Sequence, residues 1–116
     1  MTVQEFYTEI HGNYDAAMQR LMKEARIVKY LRKFVDGEDY NNLLLALREK
    51  RYEDAFRFSH NLKGMSLNLE LTGLGEVSDT LCNLFRNGKT TEDYQTELDA
   101  VTAEYKAIVD AVRALD

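Results

Sequence analysis

The chain has no proline, no tryptophan, a single cysteine, two histidines and six glycines among its 116 residues. With so few of the residues that tight turns require, it leaves little room for a sandwich or barrel, while its many Leu, Ala, Glu, Lys and Arg favour helices. The lone Cys82 excludes an internal disulfide. No apolar run of about 18 residues exists to span a membrane. Met1 to Ile10 carries acidic and polar residues where a signal peptide would need a basic end and then an apolar stretch, so a cytoplasmic location is expected. Positive charge is outnumbered by negative. The formal net charge is −5, which argues against nucleic acid, whose binding needs a basic stripe to displace counterions. This length suits one small domain with a real core, not a catalytic domain plus a second binding domain. A stand-alone protein with a single domain over residues 1–116 is therefore expected.

The charge that is present is uneven. Arg48, Lys50, Arg51, Arg57 and Lys63 cluster in one stretch and Arg86 with Lys89 in another, while Glu92, Asp93, Glu97, Asp99 and Glu104 make the last segment acidic. Apolar spacing organises the chain into helices. Val3, Phe6, Tyr7 and Ile10 recur at helical intervals, and His11-Gly12-Asn13 supplies a terminating glycine and a helix-starting asparagine, so two short helices meet there. Ile27, Tyr30, Leu31, Phe34 and Val35 predict a helix from about 23 to 36 that Asp36-Gly37 ends. Tyr40, Leu43, Leu44 and Leu47 predict another over about 39 to 49, near-continuous with the one before it. Further helices are expected over about 52 to 69, 73 to 87 and 91 to 115. Thr90 or Thr91 would cap the last, with Asp93 completing a capping-box-like start. Its apolar positions, from Tyr94 through Leu98, Val101, Tyr105, Ile108 and Val112 to Leu115, alternate by four and three, the pattern of a bundle seam. The expected fold is all-α: an antiparallel up-and-down four-helix bundle over about 39–115, with additional N-terminal helices over about 2–36 lying across or extending one end.

Within the helix from 52 to 69, a rotation of about 100° per residue puts Ala55, Phe58, Ser59, Leu62, Met65, Ser66 and Leu69 on one stripe centred near Leu62. His60 lies about 160° from that centre, on the solvent side. Gly64 falls one turn further along the same face with Lys63 on its flank, although glycine inside a helix costs about 1 kcal/mol relative to alanine. Phe56 and Leu67 also fall outward, one turn before His60 and two turns after it. Scattered exposed hydrophobes are common, so these two could merely cover surface or lie under the N-terminal helices; the sharper reading is a docking patch. Gly64 then leaves room for another backbone or a bulky group to approach the imidazole. Lys63 supplies a cation of the kind a phosphate would require.

Other chemistries fit poorly. Bundle di-metal sites use Glu-x-x-His motifs, but Arg57 stands three residues before His60, and His11 sits at a helix end, so no metal site is expected. Ser59 neighbours His60 in sequence, but adjacent helical residues do not face one another, and there is no phosphate loop or nucleophile elbow. No enzyme activity of its own is expected. What remains is a histidine that attacks a group delivered by a partner. A neutral imidazole, with an unperturbed pKa of about 6.5, can attack an activated phosphoryl group near neutral pH, with the partner bringing the phosphoryl group and its metal.

The stretch AFRFSHNLKGMSLNLELTGL resembles the signature of histidine phosphotransfer (HPt) domains, in which histidine is followed by x-Leu-Lys-Gly and then by Asn-Leu and an amphipathic helix. TVQEFYTEIHGNYDAAMQRL, IVKYLRKFVDGEDYNNLLLAL and YEDAFRFSH are similar to the single-domain HPt proteins of bacteria, which extends the likeness over nearly the whole chain. The resemblance implies a four-helix bundle with His60 as phosphoacceptor, Lys63 holding the phosphoryl group and Gly64 giving access. It further implies a phosphorelay intermediate of a two-component system, without kinase activity of its own. Its partners would be response-regulator receiver domains and a hybrid or sensor histidine kinase, and the Mg²⁺ would be bound in the receiver, not by this chain. Phe56, Arg57, Leu67 and Arg86 are the candidate partner-binding residues. The family's pattern commonly has glycine where this chain has Glu70, and often glutamate or another polar residue where it has Cys82, here read as a small residue at a helix edge. The alternative is a helical interaction module that binds a receiver or other partner without being phosphorylated. A monomer is expected, although the apolar patch could equally pair two copies.

Overall fold

The computed structural model describes residues 1–91 and 93–116. Among them are seven α-helices, one 3₁₀ turn and no strand. The helices are α1 Val3–Glu9, α2 Tyr14–Leu21, α3 Glu24–Asp36, α4 Asp39–Arg48, α5 Tyr52–Asn68, α6 Thr72–Asn83 and α7 Gln95–Arg113. α5 lies at the centre, packed against α4 on one side and α6 on the other, and α6 in turn packs on α7. The bundle closes where the Tyr40 ring of α4 stacks on Tyr105 of α7 at 4.2 Å. The Tyr40 hydroxyl donates to Thr102 Oγ1 at 2.9 Å. The fold is the expected all-α bundle with additional N-terminal helices.

The predicted stripe of α5 is its packed face. Ala55, Ser59, Leu62, Ser66 and Leu69 are buried, and Phe58 and Met65 pack partly buried against the core. Two serines are tolerated there because each hydroxyl donates back one turn at 2.7 Å, Ser59 to the Ala55 carbonyl and Ser66 to that of Leu62, which leaves no unpaired polar group. In α3 the pattern holds for Ile27, Leu31 and Phe34, but Tyr30 stands 39% exposed with the Lys33 ammonium 5.7 Å from its ring centre. α3 and α4 are separate helices, because Gly37 is extended at φ −70°, ψ 162°.

Scarcity of glycine shapes the helix ends. α1, α4 and α5 end on residues with left-handed backbone at His11 (φ 56°), Lys50 (φ 58°) and Glu70 (φ 56°). Each is followed by a residue whose N–H reaches back to close the helix: Gly12 to Tyr7 O at 2.9 Å, Arg51 to Ala46 O at 2.8 Å and Leu71 to Ser66 O at 2.8 Å. This is the Schellman arrangement, usually built on glycine. The expectation that Gly12 is the terminating residue is thus corrected by one position. His11 takes the left-handed conformation, and Gly12 is required for close approach, since a Cβ there would lie 2.6 Å from the Glu70 carbonyl oxygen.

Two boundaries differ from the sequence reading. α6 ends at Asn83, and the chain turns through the 3₁₀ segment Arg86–Gly88 with Asn87 at φ 60°. α7 begins at Gln95 with Tyr94 at its cap and no side-chain cap bond. Thr91 instead accepts from the Asp93 N–H at 3.1 Å within the connection, so neither Thr90 nor Thr91 caps the helix; Glu92 lies outside the described residues. Burial decides these ends. Phe85 is fully buried, stacks on Tyr52 at 5.6 Å and meets Tyr94 edge-on at 6.0 Å, which draws the chain inward before and after the turn.

The N-terminal pair is fixed to one end of the bundle. Thr2 and Glu5 form a reciprocal capping box, and the α-ammonium donates to Ala114 O at 2.7 Å. The buried Tyr7 hydroxyl donates to Leu69 O at 2.7 Å. Asn13 caps α2 through Ala16 N at 3.0 Å, and its own N–H donates to Glu70 O at 3.2 Å. Arg20 closes the junction with an ion pair to Glu70 at 2.8 Å. Glu70 therefore occupies, in left-handed backbone, the position at which the HPt pattern commonly has glycine.

Candidate functional site

α5 and α6 form an antiparallel hairpin whose turn centres on Leu71, so residues equidistant from Leu71 face one another. One such pair is Leu67 with Gly75, where a Cβ on Gly75 would sit 3.4 Å from the Leu67 side chain. Lys63 with Asp79 and Phe56 with Arg86 follow. This register determines what surrounds His60.

His60 is exposed on the outer face of α5, as its spacing predicts. Its ring stacks on Phe56, one turn earlier, at 5.8 Å between centroids and 27° between planes. The Arg86 guanidinium lies 5.6 Å from the centre of the Phe56 ring, within the range of a cation–π contact. Arg86 itself is held by Asn83, whose Oδ1 accepts from Nε at 3.0 Å and from Nη2 at 2.7 Å. On the other side of His60, a Cβ built on Gly64 meets nothing within 4 Å. The glycine is not demanded by packing, and the space beside the imidazole is open. Leu67 is 51% exposed further along the same face.

The remaining candidates are placed differently from one another. Lys63 Nζ is bound to Asp79 Oδ1 of α6 at 2.8 Å. That ammonium holds the Asp79 carboxyl below its ordinary range, with Arg86 adding to the effect. Arg57 turns to its own helix, paired with Asp54 at 3.3 Å and 5.0 Å from the centre of the Phe58 ring. Leu67 is exposed rather than covered, with Arg20 of α2 donating to its carbonyl at 3.2 Å and to Asn68 Oδ1 at 3.4 Å, and Phe56 is partly buried against the core. Cys82 is not an edge residue. It is fully buried, its Sγ 3.8 Å from the Phe56 carbonyl oxygen, and burial pushes its thiol upward. Its thiol thus packs against the α5 backbone under Phe56, whose ring stacks on the imidazole.

Asp79 and Asn83 escaped the sequence reading. The hairpin rule would have found Asp79, because it and Lys63 are each eight residues from Leu71. Among the described residues, no group of three or more His, Cys, Asp and Glu comes together to hold a metal ion. No helix among them is long and apolar enough to cross a membrane.

The arrangement is an exposed imidazole with an aromatic support, a nearby cation and open approach. The family described as Hpt domain matches residues 29–115, from within α3 to the end of the bundle. Comparisons with curated proteins and with solved structures gave no match. The chain belongs to the Hpt domain family, which serves histidine phosphotransfer in two-component phosphorelays as a phosphocarrier interacting with receiver domains and histidine kinases.

Proposed function

We propose that this chain is a phosphorelay intermediate in which His60 accepts a phosphoryl group from a receiver aspartate and donates it to another. The observation that carries the reading is the exposed His60 ring, supported by Phe56 and open on the Gly64 side, inside the span that matches the family. In the forward step the Nε2 lone pair attacks phosphorus, the N–P bond forms as the acyl-phosphate P–O bond breaks, and the aspartate leaves as a carboxylate. The return step reverses each of these changes. Lys63 supplies positive charge to the phosphoryl oxygens, and Arg86, and secondarily Arg57, raise the local potential seen by an acidic receiver pocket. Phe56 and Leu67 contact the receiver surface. The receiver brings the Mg²⁺, which neutralises charge on the transferring group.

The reading places the chain in the cytoplasm with its receivers and a hybrid or sensor kinase, acting as a monomer; sedimentation equilibrium checks the last point. The decisive assay supplies a phosphorylated receiver domain with Mg²⁺ and follows acid-labile label. Transfer to the wild type and none to His60→Gln is the expected result. Equal labelling of the two would sink the assignment.

A further inference from the structure

The cation that the phosphoryl group needs is already engaged. Lys63 Nζ lies 2.8 Å from Asp79 Oδ1 across the α5–α6 hairpin. Both side chains are partly exposed, at 29% and 41%, so the pair can open without unfolding. Asp79 is held as a carboxylate by this same ammonium and by Arg86. Arg86 in turn is tied to Asn83, one turn beyond Asp79 on α6. Lys63 is therefore drawn towards α6 while the imidazole carries no phosphoryl group, and Arg86 is shared between Asn83 and the Phe56 ring.

A phosphoryl group on His60 would place a dianion one helical turn from Lys63, where residues three apart on a helix are neighbours. One ammonium would then face two anions, and the phosphoryl group carries the greater charge. We infer that Asp79 is a positioning residue that holds Lys63 back on α6 in the unphosphorylated chain and yields it when His60 is phosphorylated. The inference rests on the reading of His60 as phosphoacceptor. The carboxylate competes with phosphohistidine for the same ammonium, so it favours the unphosphorylated chain and makes the carrier a more willing donor. Asp79 touches no reacting atom; its effect passes through Lys63.

The test is the equilibrium ratio of phosphohistidine to phosphorylated receiver. It is measured for the wild type, Asp79→Asn, Lys63→Gln and the double variant, each with a thermal melt to establish that it is folded. Exposed ion pairs of this kind are weak, so freeing Lys63 is expected to raise the ratio about two- to fivefold in Asp79→Asn. The change should vanish in the Lys63→Gln background. A ratio unchanged by Asp79→Asn, or an increase that persists without Lys63, overturns the inference, the second because it would mean that the carboxylate acts directly on the phosphoryl group. If the wild type takes no label from any receiver, it is the acceptor reading that fails. Chemical loading of His60 with phosphoramidate then still decides the inference: the Asp79 carboxyl carbon resonance should move towards that of Lys63→Gln on loading, and a resonance that stays put refutes the release of Lys63.

Discussion

Gly64 separates what the fold needs from what the proposed site needs, and its replacement tests both. It lies inside α5, where glycine is less favourable than alanine by about 0.8–1 kcal/mol. A Cβ at this position meets nothing within 4 Å. Gly64→Ala should therefore stabilise the chain by nearly the full propensity difference, about 0.8 kcal/mol. With an unfolding entropy of about 2.1 cal/mol/K per residue over a chain of this length, that gain raises Tm by ~3 °C. Function should move the other way. Side chains four apart on a helix have Cβ atoms about 5–6 Å apart, so a glutamine at 64 fills the space beside the imidazole. Holding the reacting atoms about 1 Å too far apart costs on the order of 100-fold, and Gly64→Gln should slow transfer by about 10- to 100-fold. The alanine variant should fall between it and the wild type. Thermal melts and single-turnover transfer from a phosphorylated receiver provide the two readouts. A lower Tm for Gly64→Ala would mean that the position is packed, and transfer at the wild-type rate by Gly64→Gln would mean that the open space is not used for approach.

Three further outcomes follow from the geometry. Tyr7→Phe leaves the buried Leu69 carbonyl without the hydroxyl it accepts from and should cost about 1–3 kcal/mol in urea unfolding; an unchanged midpoint would contradict the role given to that bond. Glu70→Gly trades relief of left-handed strain, about 1 kcal/mol, against the exposed pair with Arg20, so its own effect should be small. In an Arg20→Ala background it should become stabilising by about 1 kcal/mol, and no gain there would refute the strain argument. Cys82 is fully buried and its thiol is pushed upward by that burial, so a thiol reagent should react only as the chain unfolds; rapid stoichiometric modification of the native protein would show the thiol to be accessible.

The face of α5 was legible because one helix obeys one angular rule. Leu62 and Ser66 point inward and His60 and Gly64 outward for reasons contained in their spacing. Helix ends were less legible, since tertiary burial overrides local capping signals. Phe85 enters the core and pulls the chain out of α6 before Asn87, and Tyr94 rather than a threonine starts α7. Left-handed caps on His11, Lys50 and Glu70 are hidden from a search for glycine, because the strain is offset by contacts made elsewhere, such as Arg20 with Glu70. The Lys63–Asp79 pair lies in neither helix alone. It depends on the register of the α5–α6 hairpin, and becomes readable only once Leu71 is known to centre the turn.

The central claim is that His60 carries the phosphoryl group, and the chain offers one competitor, His11, which is also exposed. Mass-spectrometric mapping at neutral pH, after transfer from a phosphorylated receiver, tests the claim most directly. The account predicts phosphohistidine on the peptide containing His60 and none on the peptide containing His11. Label on His11, or on any residue once His60 is replaced by glutamine, would contradict it.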